Sequence, residues 1–243
     1  MLCEDKAQLC AVRALAELSK QLILSSNESK LKSSSKKLFS NFFSSKPGTS
    51  IKGLYFYGRV GRGKTMLMDL FYQNIELKQK RRIHFHRFME SVHQQLNDLS
   101  LKQSLTGHRT GVNPLARIAK VWATDVELLC FDEFFVNDIG DAMLLAGLFK
   151  ELFSLGVTLV TTSNCQPEQL YRNGLQRERF IPTIALINQH CQVISIDGDT
   201  DHRLANTMTQ HYKNYYFSHE KGEQQLAKRF QEYCNDQIVN GNS

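Results

Sequence analysis

The chain has 243 residues, of which 42% are hydrophobic and 22% are charged, and its formal net charge is +6. This length suffices for one substantial hydrophobic core, or for one large and one small domain. No apolar run approaches the roughly 20 residues that a membrane-spanning helix needs. Residues 1–24 lack the basic start and the small-residue cleavage site of a secretory signal. The composition therefore predicts neither a transmembrane segment nor secretion, and we expect a cytoplasmic protein.

Cysteines and basic clusters carry no specific functional signal. The six cysteines are scattered without a C-x-x-C pair, so we expect reduced packing residues rather than disulfides or a zinc site. Basic clusters occur at Lys36-Lys37 and at Lys78-Gln79-Lys80-Arg81-Arg82. They are more typical of solvated helix ends than of a nucleic-acid surface, because no aromatic residues for base stacking are interleaved with them. We therefore do not expect nucleic-acid binding. Loading onto nucleic acid through the cluster Lys78 to Arg82 is an open alternative, which a steep salt dependence of DNA binding would support.

The first 50 residues predict an amphipathic helix followed by a linker. Apolar residues recur at helical spacing over residues 5–24, and a serine- and lysine-rich stretch runs from Ser25 to Ser50. Residues 198–243 are polar and contain one helical pattern, from about Glu223 to Cys234. We expect an N-terminal helix and linker over residues 1–50, a core over residues 51–197 and a short C-terminal segment over residues 198–243.

Within the core, short β-branched or aromatic runs alternate with longer helical patterns, which is typical of a parallel sheet with crossover helices. The predicted strands are Gly53 to Tyr57, Arg82 to His86, Glu127 to Phe131, Val157 to Thr162 and Cys191 to Ile196. The predicted helices are Lys64 to Leu77, Phe88 to Leu99, Asn113 to Thr124, Ile139 to Leu155 and Gln166 to Asn173. Asn113 and Asp138 are predicted to cap the helices that follow them. The sequence therefore predicts a five-stranded α/β fold.

A glycine-rich phosphate-binding motif lies between the first predicted strand and the first core helix. It fits the pattern G-x-x-x-x-G-K-[ST] and consists of Gly58, Arg59, Val60, Gly61, Arg62, Gly63, Lys64 and Thr65. Its glycines let successive backbone N–H groups point at phosphate oxygens, with the positive end of a helix behind them. Lys64 suits the β- and γ-phosphates, and the Thr65 hydroxyl suits Mg²⁺. The motif and its strand-turn-helix context predict a nucleoside triphosphate site.

Two carboxylates end the apolar strand that is predicted to close at Phe131. Asp132 and Glu133 follow it directly, and the carboxyl ends of parallel strands line the ligand crevice of such a sheet. Asp132 therefore suits the Mg²⁺ shell, and Glu133 suits a general base that polarises the attacking water. Adjacent acids at a strand end are weak evidence alone. The upstream phosphate loop makes the functional interpretation the stronger one.

Further candidates follow the next strand. Asn164 would bind the γ-phosphate or position water if its strand lies beside the strand that precedes the phosphate loop; otherwise it is a turn residue. Arg177 and Arg179 are candidates for an arginine that stabilises transition-state charge across a subunit interface, with a surface ion pair to Glu178 as the alternative.

Three histidines, one aspartate and the single tryptophan fit structural roles better than catalytic ones. His84, His86 and His93 lack carboxylate or cysteine partners at ligand spacing, so structural roles are favoured over metal binding, although His84 and His86 are expected to share one face of a strand. Asp141 is expected to be a partner of the helix dipole, and Trp122 to pack in the core or in an interface.

Six segments of the sequence together resemble the ZapE-type ATPases of the AAA+ superfamily. The resemblance is carried, in order, by GRVGRGKTMLMDLFY, RRIHFHRFMESVH, LLCFDEFFVNDIGDAMLL, GVTLVTTSN, LYRNGLQRERF and DHRLA. It implies a P-loop NTPase fold with an incomplete C-terminal helical portion, and ATP and Mg²⁺ as cofactors. It also implies a homo-oligomer in which the phosphate loop, Asp132 and Glu133, a sensor asparagine at Asn164 and a trans-acting Arg177 or Arg179 form the site.

The resemblance also bears on partners. Bacterial members of this family are associated with the division ring and the tubulin-like FtsZ protein, and mitochondrial members with protein quality control. An Mg²⁺-dependent ATPase acting at the FtsZ ring is the leading interpretation. A nucleotide-dependent recruitment module with little turnover is the alternative, because the chain stops soon after Arg203, whereas family members continue. A P-loop kinase is disfavoured because Asp132, Glu133 and Asn164 suit water activation better than a second substrate.

Overall fold

The computed structural model describes residues 6–35, 51–106 and 113–197, with side chains of the first range only as far as residue 27. The strands, numbered along the chain, are β1 (Gly53–Tyr57), β2 (Lys80–His84), β3 (Leu128–Asp132), β4 (Thr158–Ser163) and β5 (Cys191–Ser195). The helices are α1 (Lys6–Ser35), α2 (Lys64–Asn74), α3 (Phe85–Thr106), α4 (Pro114–Asp125), α5 (Ile139–Ser154) and α6 (Ile181–His190). All strand pairs are parallel, in the spatial order β2-β3-β4-β1-β5. The predicted five-stranded parallel sheet is thereby confirmed.

Both faces of the sheet are covered, because alternate residues of its strands enter two separate hydrophobic cores. In β3, Leu128 and Cys130 lie in a core with α1 and α2, whereas Leu129 and Phe131 lie in a core with α3, α4, α5 and α6. Burial on both faces explains why β1 and β3 are largely apolar runs in the sequence. The predicted interior position of Trp122 is confirmed, since it is buried in the larger core.

The N-terminal helix packs on the core and reaches the phosphate loop. Val12, Leu15 and Leu18 of α1 are buried in the core that α2 also fills. The Gln8 amide, itself buried, donates to the main-chain carbonyl of Arg62 at 3.4 Å. Helix α1 continues to Ser35, beyond the predicted end at residue 24, so the expected linker is helical at its start; residues 36–50 lie outside the described part.

Polar side chains fix where several elements begin and end. The predicted caps are confirmed: Asn113 accepts from the Leu115 N–H, and Asp138 accepts from the N–H groups at the start of α5. The end of α2 is tied to β2, because Lys80 Nζ donates to the carbonyls of Tyr72 and Ile75 at 2.6 and 2.8 Å. These bonds satisfy carbonyls that a helix end leaves without partners.

Strand β2 begins and ends two residues earlier than predicted. His84 ends the strand and His86 lies in α3, so the expectation that both share one face of a strand is wrong. The physical reason is the spacing of Phe85, Phe88 and Val92, all buried, which suits one face of a helix that starts directly after the strand.

The predicted helix Gln166 to Asn173 is also wrong. Only a single 3₁₀ turn, Pro167–Gln169, forms there, and Tyr171 has a left-handed backbone with φ 52° that ends regular structure. A helix that the sequence analysis did not predict, α6, follows with Pro182 in its first turn. Helix α2 ends at Asn74, before the predicted Leu77.

The predicted C-terminal helical stretch lies outside the described residues. Within the described part, no helix is long and apolar enough to span a bilayer.

Gly53 allows β1 to lie against β4. A Cβ atom at this position would lie 1.8 Å from the carbonyl oxygen of Leu159 and 2.8 Å from its carbonyl carbon. Both atoms are backbone, so no side-chain movement relieves the overlap. The strand that leads into the phosphate loop therefore requires glycine at its first residue.

We expect Gly53→Ala to lower the free energy of unfolding by about 3 kcal/mol, the upper end of typical overpacking costs, because two paired strands must separate. Urea denaturation measures this. Gly147→Ala is the matched control, because its new Cβ would meet only the end of the Leu115 side chain, at 2.7 Å. Equal stabilities of Gly53→Ala and the wild type would contradict the proposed close strand contact.

Candidate functional site

The phosphate loop joins the end of β1 to the start of α2. Gly61 and Gly63 have φ angles of 83° and 81°, in the left-handed region that side chains disfavour. Gly63 directly precedes α2 and its carbonyl accepts from the Leu67 N–H at 3.0 Å, which is the first turn of the helix. The positive end of α2 therefore faces the cavity that the loop surrounds, as an anion site requires.

Lys64 turns its ammonium group toward the loop itself. Nζ donates to the main-chain carbonyls of Gly58 and Arg59, the latter at 2.8 Å. Burial lowers the pKa of Lys64, and the nearby charges of Asp197 and Glu133 oppose that shift. The ammonium thus has main-chain partners that phosphate oxygens would replace.

A pocket of about 390 Å³ brings the sequence-predicted residues together. Its lining consists of Val60, Gly61, Gly63, Lys64, Thr65, Met66, Asp69, Glu133, Thr162, Ser163 and Asn164. Strand β4 pairs with both β1 and β3, so the adjacency on which a role for Asn164 depends is confirmed. Glu133 and Asn164 are exposed to the pocket, and neither side chain makes a hydrogen bond with the described residues. Both are therefore available to a ligand.

The turn that carries Glu133 is held by the end of β4. Glu133 has a left-handed backbone, with φ 53°, and its N–H donates to Thr162 Oγ1 at 3.2 Å. The Phe134 N–H donates to the Thr162 carbonyl at 2.7 Å, and Ser163 Oγ donates to the Phe134 carbonyl at 2.8 Å. Strained backbone of this kind persists only where its surroundings support it. These contacts aim the Glu133 carboxylate into the pocket.

Asp132 is the last residue of β3, directly before Glu133 of the pocket, and binds an arginine. Its side chain is 8% exposed, and its two oxygens accept from Arg82 Nε at 2.6 Å and Nη2 at 3.2 Å. The remaining terminal nitrogen of Arg82 pairs with Asp69 of α2. Asp132 is therefore a buried carboxylate with its charge compensated before any ligand is present.

A second carboxylate, Asp197, lies directly beyond β5 at the entrance of the phosphate loop. Its Oδ1 accepts from the Arg59 N–H at 2.9 Å and lies 3.5 Å from Arg62 Nε. The Ile196 N–H also donates to the Tyr57 carbonyl at 2.8 Å. These bonds join the end of β5 to the start of the loop.

The two candidate arginines differ in their surroundings. Arg177 is partly buried and donates to the main-chain carbonyl of Glu168, so its own chain engages it. Arg179 is exposed, and its guanidinium has no hydrogen bond or ion pair with the described residues. Neither arginine lines the pocket next to Lys64.

Two of the three candidate histidines, His86 and His93, have carboxylate partners outside the phosphate loop. His86 Nε2 lies 3.1 Å from Glu90 Oε1, and His93 Nε2 lies 2.7 Å from Asp141 Oδ1. His84 is exposed at the end of β2. Over residues 6–27, 51–106 and 113–197, no group of three or more His, Cys, Asp or Glu side chains is arranged to hold a metal ion.

Sequence analysis missed four residues that shape the site. They are Asp69, Arg82, Thr162 and Asp197. Asp69 lies five positions beyond Lys64 on α2, and Arg82 occupies a position that faces α2 in an edge strand. The sequence offered no distinct signal for Arg82, because it lies within the basic run Lys80-Arg81-Arg82 of β2. Asp197 follows the last predicted strand, as Asp132 follows an earlier one.

Comparison with known proteins identifies the family of this chain. It matches the AFG1-like ATPases over residues 1–241. It is 54% identical over 162 residues to the cell division protein ZapE of Escherichia coli K12, an alignment that covers 67% of this chain and 40% of that protein. It is 46% identical over 181 residues to lactation elevated protein 1 homolog B of Danio rerio, covering 73% of this chain and 35% of that protein. The chain thus spans less than half the length of these relatives.

Similarity to solved structures is more distant. Domain III of the replication initiation protein DnaA of Thermotoga maritima superposes with a TM-score of 0.45 at 14% sequence identity, covering 100% of this chain and 89% of that one. The family match, by contrast, spans nearly all of the sequence, and the chain belongs to the AFG1-like ATPase family.

Proposed function

We propose that the protein binds ATP with Mg²⁺ and hydrolyses it, with residues 51–197 as the ATPase core of AAA+ type between an N-terminal helix and linker (1–50) and a C-terminal segment (198–243). The observation that carries the proposal is the convergence of Lys64, Glu133 and Asn164 on one pocket at the end of α2. These groups are far apart in the sequence, at the start of α2 and directly after β3 and β4. A phosphate-binding loop alone would support binding; the exposed carboxylate beside it supports hydrolysis.

The residues at the pocket fit Mg²⁺. Thr65 is exposed at the start of α2, and Asp132 ends β3 directly before Glu133 of the pocket. The Thr65 hydroxyl and the Asp132 carboxylate both offer oxygen ligands, which this hard cation prefers. Mg²⁺ in nucleotide sites uses one or two protein ligands plus phosphates and water, and the described residues offer no larger ligand group. Thr65 and Asp132 would hold the ion, which would neutralise phosphate charge.

The chain's own groups divide the remaining work. The loop amides of residues 58–65 and the Lys64 ammonium bind the phosphates. The Glu133 carboxylate, held by β4, accepts a proton from the attacking water, and the Asn164 amide orients that water or the terminal phosphate. Glu133 and Asn164 line the pocket without a hydrogen-bond partner among the described residues. The Lys64 ammonium is bound to loop carbonyls, and nucleotide phosphates would replace these carbonyls as its partners.

We expect Glu133→Gln to retain ATP affinity within about twofold while turnover falls at least about 100-fold, because the amide cannot accept a proton. Steady-state phosphate release and fluorescent-nucleotide titration measure the two effects. Glu76→Gln, an exposed acid outside the pocket, is the control for the charge change and should hydrolyse normally. Normal turnover by Glu133→Gln would reject the assignment of the general base.

We further propose that the active form is a homo-oligomer, in which a neighbour's Arg179 completes the site. No arginine lines the pocket among the described residues, although hydrolysis develops negative charge that an arginine stabilises. Arg179 is exposed and has no partner in the described part of its own chain, whereas Arg177 is engaged by Glu168. Arg179 is therefore the better candidate for a contact in trans, and Arg177 for holding the turn.

Mixing variants tests this arrangement. Arg179→Ala alone is expected to lose about 10³-fold in turnover, because the charged oxygens of the transferring phosphate lose their cation. Adding Glu133→Gln subunits to it should restore measurable hydrolysis, since each variant supplies the group that the other lacks. Arg177→Ala serves as the comparison and should chiefly lower thermal stability. Absence of recovery on mixing, with both variants folded, would contradict action in trans.

Relatives suggest the biological setting. A 54% identical relative carries the name of a cell division protein. We propose that this chain acts in the cytoplasm at a division ring with an FtsZ-type protein as partner. The second candidate is a nucleotide-dependent recruitment module with little turnover. The absence of an arginine from the described pocket lining favours low basal activity of an isolated chain, and stimulation by added FtsZ-type protein would distinguish the two.

A further inference from the structure

Arg82 is a largely buried cation next to the candidate site, and neither the phosphate loop nor hydrolysis has required it so far. Its side chain is 20% exposed and lies between two carboxylates: Asp132, 8% exposed, and Asp69, 43% exposed. Bidentate pairing of an arginine with a carboxylate fixes orientation as well as charge. Arg82 thereby connects three elements of the site, namely β2, β3 and α2.

The alternation of side chains along β2 explains this geometry. Lys80 and Arg82 both point toward α2, where Lys80 binds the carbonyls at the end of that helix. Arg81, between them, points to the opposite face of the sheet, with its guanidinium 4.4 Å from the ring centroid of Trp122. The same strand therefore provides one arginine at the site and one away from it.

We propose that Arg82 is a positioning residue of the nucleotide site, which orients the Asp132 carboxylate and balances the charges of Asp132 and Asp69 so that nucleotide binding depends less on Mg²⁺. The proposal deepens the proposed function and rests on it. Two separate roles follow: the planar guanidinium fork fixes orientation, and the positive charge controls how strongly nucleotide binding depends on Mg²⁺.

The charge balance predicts the direction of the effect. With Arg82 present, Asp69, Arg82 and Asp132 together carry one net negative charge. Without it, Asp69 in the pocket lining and Asp132 next to Glu133 are two uncompensated carboxylates at the pocket that would receive the phosphates. Free nucleotide, which is strongly anionic, is then repelled. Nucleotide with Mg²⁺ carries less negative charge and brings a cation to Asp132, so its binding is affected less.

The test is the affinity for the fluorescent nucleotide mant-ADP, measured once with EDTA and once with Mg²⁺. For Arg82→Gln we expect the ratio of the metal-free Kd to the Mg²⁺ Kd to rise about tenfold above the wild-type ratio, as removal of a unit charge a few ångströms away implies. Arg81→Gln, which makes the same change on the other face of the same strand, should leave the ratio unchanged. An unchanged ratio in Arg82→Gln would overturn the charge-balancing role.

Two further variants separate charge from geometry. Asp69→Asn with Arg82→Gln removes one carboxylate together with the arginine, so the ratio should return toward the wild-type value. Arg82→Lys keeps the charge but not the fork, so the ratio should stay near wild type while ATP turnover falls at least about tenfold. Full turnover by Arg82→Lys would overturn the orienting role, and this variant keeps that test available if Arg82→Gln does not fold.

The outcomes for the two proposals remain distinct. Wild-type protein that binds mant-ADP but does not hydrolyse ATP would reject the proposed ATPase activity and leave the binding ratios interpretable. Wild-type protein that hydrolyses ATP, together with a wild-type binding ratio in Arg82→Gln and full turnover in Arg82→Lys, would reject the role of Arg82 alone. Wild-type protein that does not bind mant-ADP under either condition would reject both.

Discussion

The pairing of β4 with both β1 and β3 is the constraint on which the site depends. It places the phosphate loop after β1, Glu133 after β3 and Asn164 after β4 at one edge of the sheet. The pairing is possible because Gly53 leaves room for the Leu159 carbonyl where a Cβ atom would overlap it. Since parallel strands present their carboxyl ends at the same edge of a sheet, the groups that follow β1, β3 and β4 meet there.

A second constraint is the compensation of charge in the absence of nucleotide. Lys64 binds loop carbonyls, Arg82 binds Asp132 and Asp69, and Asp197 pairs with Arg62. A buried charge without a partner is costly, so a site designed for an anionic ligand must supply temporary partners for its cations and carboxylates. In the proposed function, nucleotide phosphates would replace the loop carbonyls as partners of Lys64.

The sequence could predict those parts of the site whose residues are contiguous or directly follow a predicted strand. The phosphate loop is contiguous, and Asp132 and Glu133 directly follow an apolar run, so each could be placed at a strand end without knowledge of the fold. Asn164 required one more assumption, the adjacency of β4 and β1, which the structure confirms. The positions of Thr162 and Arg82 relative to the site depend on strand register over separations of 29 and 50 residues, which periodicity does not reveal. The prediction of a helix over residues 166–173 was wrong, because the apolar and polar residues there pack around a 3₁₀ turn rather than along a helix face.

The decisive measurement is ATP turnover per subunit in the presence of Mg²⁺, over a wide range of protein concentration, with Lys64→Ala as the control. We expect turnover per subunit to rise with concentration, because a neighbouring copy completes the site, and we expect the Lys64→Ala variant to have none. Tight nucleotide binding with no turnover at any concentration would contradict an ATPase and leave a nucleotide-dependent binding module. Turnover that is independent of concentration down to the monomer would contradict a site completed in trans.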